Sequence, residues 1–172
     1  MRMLLFACLL FSFFVTDSPA AVACESTEPL FVIAHSKNGN AVHYEACIDR
    51  DGSLSGTEPV IAYWVLEDGR REELISIERS RAYGVLLRER QGKETVRISV
   101  VSLQEKEITV RKIGRHFRAF MPIDGKESIL ERAYLKSRDR AFRFPIVEYV
   151  DLFGRTKNGG HPVAERIDES GS

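Results

Sequence analysis

The chain has 172 residues, of which 44% are apolar and 29% charged, with 25 acidic against 25 basic side chains. That is the composition of a soluble globular protein. Zero formal net charge gives no electrostatic argument for nucleic acid or for an anionic membrane surface, and neither is expected as a partner.

In chain order, Arg2 supplies a short positive region and residues 3–15 an uninterrupted apolar run. Ser18-Pro19-Ala20 and Ala21-Val22-Ala23 then offer the small-x-small pattern that a signal peptidase reads. Residues 1–23 are therefore read as a signal peptide and the mature protein as exported, periplasmic or secreted. The apolar run is about 13 residues, short of the roughly 20 a membrane-crossing helix needs, so no transmembrane span is expected in the mature chain. Ala21-Val22-Ala23-Cys24 also loosely resembles a bacterial lipobox, which makes a lipid anchor on Cys24 the alternative fate. Without the leader about 150 residues remain, one domain of ordinary size. They are read as a single β-rich domain over 24–153 and a mobile tail over 154–172, too poor in apolar residues to pack. Cys8 leaves with the leader. Cys24 and Cys47 either bridge in an oxidising compartment or stay apart, with Cys47 a small apolar core residue, and the second reading is preferred.

Along the mature chain the dominant period is two. Residues 30–35 and 41–48 flank Lys37-Asn38-Gly39-Asn40 and predict a hairpin. Residues 59–66 (PVIAYWVL) predict a central strand buried on both faces. Residues 71–83 start with acids, end with bases and stop at Gly84, which predicts one helix. Strands are expected again at 85–87, 95–103, 107–113, 117–123, 128–135 and 145–152. Val96, Ile98 and Val100 share one buried parity, as do Ile108 and Val110. The predicted fold is a mainly β antiparallel sandwich or barrel of about seven to nine strands, with one helix after the third.

Several short motifs fall in order between residues 36 and 84. They are Ser36-Lys37-Asn38-Gly39-Asn40-Ala41-Val42-His43-Tyr44, Asp51-Gly52-Ser53-Leu54 with Glu58-Pro59-Val60, Ala62-Tyr63-Trp64, Arg71-Glu72-Glu73-Leu74, Ile77-Glu78-Arg79 and Ala82-Tyr83-Gly84. This block resembles a family of exported bacterial proteins known as domain of unknown function 4833. The resemblance implies an envelope or secreted domain and carries over no catalytic residues.

Residues 47–58 (CIDRDGSLSGTE) can be laid on a twelve-residue calcium loop. Asp49 and Asp51 fall at positions three and five, Gly52 at six, Leu54 at eight and Glu58 at twelve. Cys47 stands where an oxygen ligand belongs, and a thiol suits a hard cation poorly. The loop is read as a polar turn, with calcium on Asp49, Asp51 and Glu58 as the alternative and no cofactor otherwise expected. His35 and His43, on the two arms of the first hairpin, would share a face as a zinc or catalytic pair in one register and lie on opposite faces in the next. Tyr44, Tyr63, Trp64, Tyr83 and Tyr149 with Arg79, Arg81 and Arg88 are candidates to line a pocket. Asn38, Asn40, Tyr44, Tyr63 and Arg79 are the expected ligand-binding set, near a polar rim round an aromatic floor, and no residue is assigned as catalytic. The functional expectation is a non-enzymatic envelope module that binds a small ligand or an envelope protein. The alternative is an envelope hydrolase built on His43, Glu45 or Asp49 with Arg79.

Overall fold

The computed structural model describes residues 24–140, 143–158 and 160–168. Residues 1–23, read above as a signal peptide, and the last four residues lie outside the described residues. Eleven strands form one curled, open sheet, a half-barrel. Four hydrogen-bonded neighbours make each half. The first half is β1 (Ser26–His35), β2 (Ala41–Ile48), β3 (Val60–Val65) and β4 (Arg71–Glu73). The second is β5 (Val85–Arg90), β6 (Thr95–Val100), β7 (Ile108–Ile113) and β8 (His116–Ile123). Within each half every pairing is antiparallel.

The halves are joined through the long β9 (Lys126–Arg140). β10 (Arg143–Thr156) pairs along β9 from Ser128 to Arg140. β8, paired at Lys126–Ile129, and β1, paired in parallel at Arg132–Leu135, therefore share the opposite edge of β9. Gly154 sits at a register shift in the pairing of β10 with β9, and a Cβ there would run into the Ile129 carbonyl. The end strand β5 comes within 8 Å in Cα of β3, next to the other end strand β4, without pairing. The segment from β4 to β5 crosses near this opening as the one-turn α1 (Ser76–Glu78) and a π turn over Arg79–Tyr83.

The alternation predicted for β6 and β7 holds: Val96, Ile98, Val100, Ile108 and Val110 are fully buried. They meet Ile33, Val42, Tyr44 and Val60 from the first half and Leu130 and Leu152 from the β9–β10 ribbon in one core. The β8–β9 turn is an Asp-Gly hairpin, with both Asp124 and Gly125 at positive φ, as that dipeptide between two apolar runs favours.

Several expectations are corrected. The described residues form eleven strands rather than seven to nine, and the helix follows the fourth strand, not the third. Residues 71–73, expected to begin that helix, pair with Tyr63–Val65, because the turn at Gly69 (φ 82°) brings them back against the edge of β3. β3 is not covered by a second layer on its outer face; there the Arg71 guanidinium lies 3.6 Å over the Tyr63 ring. The stretch from residue 154, read as a tail, carries the end of β10 and then β11 (Pro162–Asp168), which pairs with β10. Its backbone hydrogen bonds and the Arg166–Asp151 ion pair at 2.7 Å supply what its apolar content does not. Cys24 and Cys47 are bridged, with Cα atoms 5.2 Å apart. Cys47 is fully buried at the end of β2, and the segment before β1 is drawn to it by the Glu25 N–H bond to the Ile48 carbonyl. Among the described residues no helix is long and apolar enough to cross a membrane.

Candidate functional site

The π turn is fixed from three sides. Tyr44, buried in β2 and stacked on Phe31 at 4.4 Å, donates its hydroxyl to the Tyr83 carbonyl at 2.8 Å. Burial, with Tyr83 beside it, pushes the Tyr44 phenol well above its ordinary range, so the donor stays protonated. Gly84 follows because no side chain fits: a Cβ would run into the Arg79 carbonyl. Its φ of −62° is ordinary, so the glycine is there for space and not for a left-handed cap. Glu78 accepts from the Trp64 indole N–H at 3.1 Å and from the Ile75 N–H at 3.0 Å, tying the start of α1 to β3.

These contacts hold a row of aromatic rings in place. Trp64 packs edge-on against Tyr83 at 5.1 Å and against His35 at 5.5 Å. His35 accepts a 3.4 Å bond from the Lys37 N–H at Nδ1, as a neutral imidazole does. Burial first, and the Lys37 charge second, hold its pKa below the ordinary value. Burial likewise raises the Tyr83 phenol, with Glu78 adding to it.

The row forms one wall of a cavity of about 650 Å³. Leu135, Ser137 and Val147 on the β9–β10 ribbon face it, and Val101, Ser102 and Gln104 close the third side. The size is within the usual range for a small-molecule site, roughly 300–1,000 Å³. It lies where β1 ends and the β9–β10 pair runs on past it. A smaller hollow of about 400 Å³ lies between β3 and β5, lined by Val60, Ala62, Leu74, Val85 and Leu87 with Glu58 and Arg79 among its polar residues.

Of the residues expected at a site, Trp64, Tyr83 and Arg81 line the larger cavity and Arg79 lines the smaller. Asn38 and Asn40 serve the turns instead. Asn38 accepts from the Asn40 N–H at 3.1 Å, and Asn40 accepts from the Glu67 N–H at 3.0 Å, which ties the β1–β2 turn to the β3–β4 turn. Tyr44 and Tyr63 lie on opposite faces of the sheet, since Tyr44 pairs with Ala62 and Tyr63 with His43. The Tyr63 hydroxyl donates to Glu45 at 2.7 Å, and burial, that bond and the Glu45 charge push its pKa up to about 12. Arg79 reaches Glu73, the cross-strand partner of Tyr63, at 3.2 Å, and also Glu58 at 3.8 Å and the Leu74 carbonyl at 3.3 Å. The expected five do not share one pocket.

His35 and His43 fall on opposite faces, because Val32, three residues before His35, is the partner of His43. His43 and Glu45, proposed for a hydrolase, stand with Tyr63 on the outer face, and neither cavity is lined by them. Burial lowers the His43 pKa against the opposing pull of Glu45.

The 47–58 loop is held by cations from the other half of the sheet and from the π turn. Asp51 takes the Lys93 ammonium at 2.8 Å and accepts from the Ser53 N–H at 3.0 Å. The Lys93 and Ser53 hydrogen bonds hold its carboxyl far below the usual carboxylate range. Lys112 donates to the Gly52 carbonyl at 3.1 Å, Arg90 to the Ser55 carbonyl, and Glu58 faces Arg79. Asp51 and the Gly52 carbonyl thus dock the loop after β2 to the β5–β6 turn and β7, while Glu58 ties it to the π turn. Among the described residues no three His, Cys, Asp or Glu side chains are grouped so as to hold a metal.

The model of the family "Domain of unknown function (DUF4833)" matches residues 31–166. The chain belongs to this family. The match runs from within β1 into β11 and so takes in both halves of the sheet and every wall of the larger cavity, whereas the block quoted from the sequence ends at Gly84. No curated protein matches the chain, and no solved structure does.

His35, Leu135, Ser137 and Val147 are among the cavity residues that sequence reasoning missed as site residues. His35 was weighed only with His43, as a zinc or catalytic pair. Leu135 and Val147 read as ordinary strand apolars, and the parallel pairing of β1 with β9 that gathers them is not a short-range signal.

Proposed function

We propose that this DUF4833 protein is an exported envelope domain that binds a small ligand, without catalysis, in the cavity bounded by the Trp64–Tyr83–His35 row and the β9–β10 ribbon. The observation that carries the reading is the rigid aromatic wall. Each ring is set by contacts from a different strand or turn, so the cavity is formed before any ligand arrives, and preorganisation spares binding the cost of ordering. The leader read in residues 1–23 and the Cys24–Cys47 bridge both suit an oxidising compartment. The bridge also favours release over anchoring, because a sulfur spent on Cys47 is not available to a lipid thioether.

Thermal-shift screening of the mature protein against a chemically diverse small-molecule panel tests this, since a ligand that binds the native state raises the apparent Tm. At least one compound should raise Tm in the wild type and not in Ser137→Trp, which fills the cavity from the ribbon. Stabilisation that survives Ser137→Trp unchanged would place binding elsewhere and overturn the assignment.

A further inference from the structure

Whether the cavity selects its ligand by charge depends on how its own charged residues are already used. Three lining residues carry a formal charge: Lys37, Glu78 and Arg81. Glu78 serves the wall itself, since its Oε2 accepts the Trp64 N–H at 3.1 Å and the Ile75 N–H at 3.0 Å. Lys37 and Arg81 are likewise engaged within the chain. An ionic ligand therefore meets only charges that already have partners.

The titratable rings of the wall are neutral as well. His35 uses Nδ1 to accept the Lys37 N–H, and burial keeps the imidazole from taking up a second proton at neutral pH. Burial also holds the Tyr83 phenol in its protonated form. Of the serine hydroxyls, Ser80 donates to the Ile77 carbonyl at 3.3 Å, and the Ser102 oxygen is buried out of a ligand's reach. Beside the rings the walls are aliphatic, with Val101, Leu135 and Val147. Ile77 joins them at 44% exposure, apolar surface that an occupant would take out of water.

We infer that the occupant is an uncharged, apolar molecule compact enough to sit between the aromatic row and the β9–β10 ribbon. The inference rests on the cavity being the binding site and adds the chemical class of what it holds. An ion would give up its hydration against these walls with no unpaired charge to offset the loss. An apolar molecule gives up little and buries the walls' surface along with its own. Gln104 and Ser137 are uncharged polar groups that can serve one hydroxyl or carbonyl on the ligand, whereas the many hydroxyls of a sugar would go without partners.

The chain has a single tryptophan, Trp64, so intrinsic fluorescence reports on this wall alone. Mature protein at neutral pH is titrated with adamantan-1-ol, adamantane-1-carboxylate and 1-adamantylammonium, which share one apolar cage and differ in charge. Trp64 emission and calorimetry are the two readouts. The alcohol should give a saturable change in emission and bind at least about ten-fold more tightly than either ion. By calorimetry Ser137→Trp should lose the alcohol while its circular dichroism stays that of the wild type. An ion that binds as tightly as the alcohol, and is blocked by Ser137→Trp, overturns the uncharged class and leaves the cavity as the site. No binding of the alcohol by either method overturns the inference outright. The cavity assignment falls separately, if the diverse panel gives no shift that Ser137→Trp abolishes.

Discussion

Removing the Cys24–Cys47 bridge should cost the protein a large part of its stability without changing its fold. The two cysteines are 23 residues apart, and closing a loop of that length restricts the unfolded chain by about 3.4 kcal/mol at 25 °C in the chain-entropy model. The loop spans all of β1 and nearly all of β2, so the bridge also holds the segment before β1 beside Ile48. Cys47 is fully buried, and alanine is the right replacement there because a serine hydroxyl would add a desolvation penalty of its own. In a domain of this size about 3.4 kcal/mol corresponds to roughly 10 °C in Tm. The assay is thermal and urea unfolding of the mature wild type against Cys24→Ala/Cys47→Ala, with the wild type repeated under reductant. The variant and the reduced wild type should melt together, well below the oxidised protein, with near-native circular dichroism when cold. Tm values within about 2 °C of the oxidised wild type would refute the argument, and so would quantitative alkylation of both cysteines in the untreated protein.

Tyr44→Phe leaves the Tyr83 carbonyl without its buried donor, so stability should fall by about 1–3 kcal/mol and Trp64 emission should shift to the red as the π turn loosens; urea unfolding and fluorescence check both. Gly84→Ala pushes a Cβ into the Arg79 carbonyl, and the turn must move, at a cost of about 1–3 kcal/mol by chemical denaturation, whereas Gly56→Ala, with open space round its Cα, should be close to neutral. Stability should also bend at both ends of the pH scale. His35 and His43 titrate lower in the fold than the unfolded value of 6.5, so the unfolded chain takes up protons first and stability falls as pH drops through about 6.5. Tyr63 stays protonated in the fold up to about 12 while the unfolded phenol ionises near 10.0, so stability falls again between those values. Urea midpoints across pH 5 to 12 check this, and a flat profile would contradict both assignments.

What the sequence disclosed was local. β2 was readable to the residue, because Val42, Tyr44 and Ala46 alternate with His43 and Glu45 and the buried set points one way. Asp124-Gly125 disclosed its turn because both residues tolerate positive φ. Residues 71–73 misled because two glutamates and an arginine suit a helix N-terminus as well as an exposed edge strand, and only the return through Gly69 decides between them. β11 was missed for a related reason: it packs by pairing with β10 and through Arg166, and neither leaves an apolar pattern. The expected site was legible in part. Trp64 and Tyr83 were named as aromatics and do line the cavity. Asn38, Asn40 and Tyr44 turned out to hold the structure that presents it, because a side chain that braces a turn and one that meets a ligand have the same chemistry in one dimension.

The most direct test of the central claim is an amide NMR titration of the isotope-labelled mature protein with a compound that raises Tm in the wild type and not in Ser137→Trp. The account predicts shift changes gathered at residues 35–37, at Trp64, at 77–83, at 101–104 and at 135–137, with the outer-face strand positions His43, Glu45 and Tyr63 quiet. Changes centred instead on Val60, Leu74 and Leu87, or on the outer face round Tyr63, would contradict it.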